Sequence, residues 1–305
     1  MINQVTFAEC KSLWDRALSA NSLHAPFLSW EWANAWYHVL AGNWKEQTLL
    51  VDNSVIAPLA RQDNTVIFSG GDEVADYLDI IGPDEKKAEA WEQILTHCKS
   101  VGVTDLKLRN IPENSSTIEY FKTLGAVEQE DTTPVFSLPD SWDTYLESLS
   151  KKYRHELERK MRKFDREHPD SQIIRSTNPR EDMAILFQLM EKDEDKKAFL
   201  TPQMKIFFTT IAKTFEKTIA LDYIAIGDKN IAATLSFQSE GTYYLYNSGF
   251  DKDCCSIAGF YLKTMTIKHA IESGIKHYNF LQGNERYKYE LGGIDFPVYK
   301  ISINL

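Results

Sequence analysis

Apolar residues three and four apart recur along much of this chain, and between them lie short runs rich in β-branched and aromatic residues. The two patterns alternate, which predicts a mixed fold of helices and strands. Helical spacing first links Phe7, Cys10, Leu13, Trp14 and Ala17, with Thr6 as the cap. It returns in PFLSWEWANAWYHVL, where Ser29 stands at the N-cap and Trp32, Ala35, Trp36, Val39 and Leu40 share a face. Trp30, Trp32 and Trp36 bring large aromatic surfaces together; they pack a helix on a sheet or line an apolar pocket. QTLLVDN, SVIAPLARQ and NTVIFSGG predict an antiparallel meander, with Pro58 at an edge or bulge. DEKKAEAWEQILTHCKSV predicts a helix and TDLKLRNIP a strand. NSSTIEYFKTLG predicts a short helix capped near Asn114, and TPVFSLP a further strand.

In the second half, Leu146, Leu149, Tyr153, Leu157, Met161 and Phe164 predict an amphipathic helix or helix pair. A strand at SQIIRST precedes two helices, the second opening on Thr201 and Pro202. TIALDYIAIG, NIAATLSFQ and TYYLYNSGF then form an antiparallel meander. This order repeats that of the first half, so the expectation is a duplicated fold with domains at 1–140 and 141–305. The stretch after Gly241 reads as strand, turn, long helix, short strand and a helical end. Ser256 is placed to cap a helix from Ile257, Gly274 to end it, and Asn284 to cap the turn that bears Glu285, Arg286, Tyr287 and Lys288. The helix is apolar on more than one side, which predicts burial, and His269 on it reads as a core histidine.

The formal net charge of -10 excludes a general affinity for nucleic acid. One segment breaks that balance. Across 151–166, Lys151, Lys152, Arg154, Arg159, Lys160, Arg162, Lys163 and Arg166 face only Glu156, Glu158 and Asp165. Such a run is a solvated face or a surface for a phosphate-bearing ligand. The four cysteines lack the density of a disulfide scaffold and read as reduced. No apolar run reaches the roughly 20 residues that span a bilayer, and the start carries no secretory pattern, so the expected location is cytoplasmic. The acidic loop GGDEVADYLDIIGP lacks the register of a calcium loop, and the histidines show no metal spacing, so no metal is expected. Nucleophile elbow, P-loop and dinucleotide motifs are absent.

The PFLSWEWANAW helix, the DYLD loop, the Tyr153/Arg154 start of the basic helix, and SIAG followed by a helix and NFLQGNERYK together resemble the GNAT-type N-acyltransferase superfamily. The resemblance is to its duplicated branch of Fem-type peptidyltransferases and exopolysaccharide- or cellulose-associated acyltransferase-like proteins. It implies an α/β (mixed α+β) fold of two tandem GNAT-like domains, each a mostly antiparallel sheet flanked by helices, with the donor site in the second. It further implies transfer of an acyl or aminoacyl group from a thioester or ester to an amine on a small molecule, glycan or peptide. The donor would be acyl-coenzyme A such as acetyl-coenzyme A, or else aminoacyl-tRNA or acyl carrier protein. The donor-holding residues would be Asn247, Ser248, Gly249, Lys252, Ser256, Ile257, Ala258 and Gly259, with backbone N–H groups near Asn247 to Gly249 receiving the oxyanion. Tyr287 would act as general acid, Lys288 as electrostatic stabiliser and Glu285 as base. Asp76, Tyr77, Tyr153 and Arg154 would contact substrate. The competing expectation is a non-catalytic protein of the same fold that grips an anionic polymer or sugar nucleotide with the basic helix.

Overall fold

The computed structural model describes residues 1–305. Caps set the ends of the early helices. After β1 (Ile2–Gln4), Thr6 and Glu9 form a reciprocal capping box at the start of α1 (Phe7–Ser19), and the Ser29 hydroxyl accepts from the Trp32 N–H at the start of α2 (Trp30–Val39). Five short strands follow: β2 (Lys45–Glu46), β3 (Leu49–Val51), β4 (Val55–Ala57), β5 (Leu59–Gln62) and β6 (Thr65–Phe68). They do not form one meander. β1, β3 and β4 make a small sheet, while β5 and β6 belong to a six-stranded one. Pro58, which has no N–H to give a ladder, sits where the chain leaves the first sheet for the second. Next come α3 (Asp84–Ser100), β7 (Asp105–Pro112), α4 (Ser116–Lys122), capped by Ser115 and not Asn114, and β8 (Val127–Thr132).

The chain divides into two units, Met1–Thr132 with Phe296–Leu305, and Thr133–Asp295. The sequence reading placed the boundary near 140 and the C-terminus in the second domain; in the structure the strand Pro297–Asn304 pairs antiparallel with both β7 and β8. Its residues Val298 and Ile301 are fully buried there. Without it β7 and β8 would each present an open edge.

The second unit begins with β9 (Val135–Ser137), which joins this unit's sheet. Then come α5 (Trp142–Ser148), α6 (Lys151–Glu167), β10 (Gln172–Arg175), α7 (Pro179–Met190), α8 (Glu194–Phe199) and α9 (Pro202–Thr214). The predicted meander follows as β11 (Ile219–Ile226), β12 (Lys229–Ser239) and β13 (Thr242–Phe250), and then α10 (Ala258–Glu272), β14 (His277–Asn279) and α11 (Arg286–Glu290). The sheet order is β10-β11-β12-β13-β14-β9. β14 is parallel to β13, so a crossover is required, and α10 supplies it. Tyr243 and Tyr278 stack at 5.1 Å across that parallel pair, in a core with Tyr145, Leu157, Ile267 and Phe280.

β13 and β14 part early. Their pairing covers only Thr242–Tyr244 against His277–Asn279, whereas β12 accompanies β13 to Phe250. Beyond Tyr244 one edge of β13 therefore has no strand beside it. A bulge at the same place, where Leu235 and Ser236 face Asn247 and Leu245, leaves Tyr246 as the extra residue and bends the strand. Gly249 lies past the bulge, and a Cβ there would stand 2.4 Å from the Met190 nitrogen and 2.5 Å from the Leu189 carbonyl carbon. The glycine lets the end of α7 press on the strand. Gly249→Ala is expected to lower stability by about 1–3 kcal/mol, the usual cost of overpacking, with the shift read in chemical denaturation.

Candidate active site

The open edge of β13 collects three lysines from three elements. Lys196, from α8, donates to the Ser248 carbonyl at 2.5 Å. Lys288, from α11, is 2% exposed and donates to the carbonyls of Leu281, Gln282 and Gly283 at 2.9, 2.7 and 3.1 Å, while its ammonium pairs with Glu285 at 2.9 Å. Those bonds hold a turn with Leu281 at φ 58° and Gly283 at φ 110°. A leucine in the left-handed region needs such enforcement. Lys263, from α10, is 6% exposed, and its Nζ lies 4.5 Å from the centre of the Tyr287 ring.

Tyr287 joins this cluster to a cavity. Its ring meets Phe280 edge-on at 6.2 Å, and its hydroxyl makes no hydrogen bond within the protein. The cavity, of about 800 Å³, lies between α6 and α11 and is lined by Tyr287, Lys152, Tyr153, His155, Glu156, Arg159, Lys160, Arg286 and Glu290. Arg159 makes a two-pronged pair with Glu156 at 2.8 Å, Lys160 reaches Glu290 at 3.2 Å, and Arg286 reaches Glu290 at 2.7 Å. Lys152 carries no ion pair, so the lining keeps an excess of positive charge. Burial first, then Glu285, pushes the Tyr287 hydroxyl well above the usual tyrosine range, so it stays protonated and able to donate.

The expected site residues distribute unevenly over this arrangement. Tyr287, Lys288 and Glu285 do come together, but Lys288 and Glu285 are bound to each other, and Lys288 is spent on the turn. Glu285 is 57% exposed and engaged, a poor state for a base. Tyr153 lines the cavity beside Tyr287; Arg154 is not part of the lining. In the other unit Tyr77 is fully buried, with Phe27 and Phe296 around its ring, so it is a core residue there. Asp76 lies on the same loop, which Asn110 ties down by donating to the Asp72 and Ala75 carbonyls at 3.1 and 2.7 Å. Of the three neighbouring tryptophans, Trp32 is fully buried and Trp30 packs on a core cluster; only Trp36, with Trp44, lines a cavity in that unit, of about 740 Å³, in which the Trp36 indole donates to Glu73 at 3.0 Å. His269 is exposed and not the core histidine expected from sequence; it faces Arg175 at 2.7 Å, and partial desolvation first and then Arg175 lower its pKa, so it accepts that bond as neutral imidazole.

The loop expected to cradle coenzyme A does not fit a pyrophosphate. α10 starts at Ala258, with Ile257 as N-cap and no side-chain cap, so Ser256 does not cap it. The Asp251 carboxylate accepts from the N–H groups of Asp253 and Cys254 at 3.1 and 3.2 Å, which places a negative charge where a phosphate would need one absent. Lys252 is paired with Asp193 at 3.0 Å. Gly259 faces the Phe250 ring, to which a Cβ would come within 2.8 Å; the missing side chain makes room for that ring and not for a ligand. Asn284 does not cap the last helix either, since Glu285 holds the N-cap position. On the open edge of β13, Lys196 already occupies the Ser248 carbonyl.

Lys196 and Lys263 were not anticipated from sequence. Lys263 left a signal: it stands between Phe260 and Ile267, three before and four after, on the buried stripe of α10, where a charge is costly. Lys196 left none, because only the fold brings α8 to β13.

The parallel pair β13 and β14, bridged by a helix and parting early, can be set beside known proteins. Residues 151–289 match the family described as Acetyltransferase (GNAT) domain. FemX superposes with a TM-score of 0.65 at 12% identity, over 100% of this chain and 97% of its own. L-PGS from Bacillus licheniformis superposes at 0.64 and 10% identity, over 99% and 93% of the two chains. A tandem GNAT protein from the clavulanic acid biosynthesis pathway superposes at 0.55 and 9%, over 99% and 98%. A search of curated proteins returns no match. The second half of the chain thus matches the GNAT acetyltransferase domain family, and the chain as a whole shares its fold with FemX and with the tandem GNAT protein. No helix is long and apolar enough to cross a membrane.

Proposed function

We propose that the protein transfers an acyl or aminoacyl group from an ester or thioester donor to an amine, with the reaction at Tyr287. The observation that carries this reading is the position of that side chain: protonated, free of internal hydrogen bonds, and between a basic cavity and the buried Lys263. In the reaction the amine attacks the acyl carbon and the donor's oxygen or sulfur departs. Tyr287 donates its hydroxyl proton to the departing atom. The N–H groups near the Tyr246 bulge, on a strand that opens there, supply donors for the oxyanion. The excess positive charge along α6 favours a partner that carries phosphate.

The donor is best sought outside coenzyme A, because the Asp251 carboxylate takes the N–H groups of Asp253 and Cys254 and sets a negative charge in the loop where a pyrophosphate would lie. Aminoacyl-tRNA and acyl carrier protein remain as donors of the required chemistry. The test measures thermal shift and transfer to an amine with aminoacyl-tRNA, acyl carrier protein and acetyl-coenzyme A in parallel. One of the first two is expected to bind and transfer, with acetyl-coenzyme A the weakest. A folded protein that neither binds nor transfers from any of them removes the proposal and leaves a non-catalytic binder of an anionic ligand.

A further inference from the structure

A buried ammonium group ordinarily has either a carboxylate or a set of carbonyls around it, because an unpaired charge away from water is expensive. The protein shows both solutions elsewhere: Lys87 pairs with Asp79 at 2.8 Å, and Lys288 is held by three carbonyls and Glu285. Lys263 has neither. It forms no ion pair and no hydrogen bond, and its Nζ rests against the face of Tyr287 at 4.5 Å. The charges about it come from Lys196 on α8, Lys288 on α11 and Glu285 just ahead of α11. On the sheet side Asp222 is committed to Arg175 at 2.8 Å, and the Tyr243 and Tyr278 hydroxyls are kept neutral by burial. Two cations against one carboxylate leave Lys263 without a counter-charge.

We propose that Lys263 is the general base of the transfer, taking the proton that the attacking amine must lose, beside the tyrosine that protonates the leaving atom. The inference rests on the transfer reading above. The nitrogen–carbon bond forms while the bond from the acyl carbon to the donor's oxygen or sulfur breaks. The proton of the attacking nitrogen goes to the Lys263 Nζ, and the departing atom takes the Tyr287 proton. Lys263 then returns its proton to Tyr287, and the pair is restored with no outside reactant. Burial, and after it the neighbouring lysines, push the Lys263 pKa down to about 7, so an unprotonated amine is abundant at neutral pH. Glu285, the base expected from sequence, is occupied by Lys288.

Lysine labelled with ¹³C at Cε in the full-length protein reads this titration directly by NMR. One resonance is expected to titrate near pH 7 and to be missing in Lys263→Met. With the donor that wild type uses, Lys263→Met and Lys263→Arg should each lose about 10²- to 10⁴-fold in kcat with KM little changed. The fall of kcat/KM toward acid pH should disappear with them, and ethylamine should restore part of the rate to Lys263→Ala. Wild-type transfer with Lys263→Met unimpaired overturns the role of Lys263 alone. A titration that moves up on addition of inorganic phosphate, with turnover kept in Lys263→Arg, also overturns it and marks an anion site. No transfer by wild type from any donor overturns the parent reading and the base together.

Discussion

Asp79→Ala is expected to weaken the first unit by about 3–5 kcal/mol, the range for removing one partner of a buried ion pair. Asp79 is 2% exposed, and each of its oxygens is fully engaged. One accepts from the Thr117 hydroxyl at 2.6 Å and the Ile80 N–H at 2.8 Å; the other accepts from the Ser115 hydroxyl at 2.6 Å and Lys87 at 2.8 Å. Lys87 is 1% exposed, and truncating Asp79 strands it with the partly exposed Asp84 as its remaining counter-ion, at 3.1 Å. Burial opposes the charge on Lys87, but Asp79 and Asp84 outweigh it and raise its pKa. A raised lysine pKa adds stability in full below the unfolded value of about 10.4, and the gain is lost as pH climbs through the folded one. The weakening should therefore be undiminished at neutral pH. Urea titration followed by tryptophan fluorescence reports it, since the Trp91 indole donates to Thr117 at 2.9 Å within the same network. Adding Lys87→Met to Asp79→Ala should recover part of the loss, because the double variant buries no unpaired charge. A loss below about 1 kcal/mol in the single variant would show the pair to be relaxed in solution.

Tyr287→Phe is expected to reduce transfer by about 10²- to 10⁴-fold, the range for losing a positioned acid or base. The substitution removes one oxygen that bonds to nothing inside the protein, so the fold and the ring contacts with Phe280 and Lys263 should survive. Ligand affinity in the cavity should stay within a few-fold of wild type, as only the hydroxyl is lost. Turnover and binding measured on the same preparation decide the matter. Full turnover in Tyr287→Phe would dismiss the tyrosine as acid, whereas binding without turnover in either protein would favour the non-catalytic reading.

The amphipathic pair α5 and α6 was legible in the spacing of Leu146 through Phe164, and the caps at Thr6, Ser29 and Thr201 were legible in single residues. The three-stranded meander β11 to β13 followed from turns flanked by apolar runs. Such features depend on neighbours in the chain, and their physics is local. The separation of β4 from β5 at Pro58 was half legible, since a proline marks a break but not which sheet receives the next strand. Likewise the tyrosine at 287 was readable as a candidate acid, because an acyl transfer needs one near the end of the short strand.

By itself, then, the sequence determined most of the helices, the β11 to β13 meander, the duplicated order, the basic face of α6 and the resemblance to acyltransferases, but not β1, β8, α8 or the C-terminal strand. Tertiary structure alone decided that the C-terminal strand closes the first unit's sheet, that Tyr77 is core, and that Lys288 and Glu285 satisfy each other. It also placed Asp251 over the loop N–H groups and brought Lys196, Lys263 and Lys288 from three separate elements to one open strand edge. The physical reason is range. Caps, turns and helical faces are settled within a few residues, but the charge state and freedom of a buried side chain depend on what distant segments put beside it.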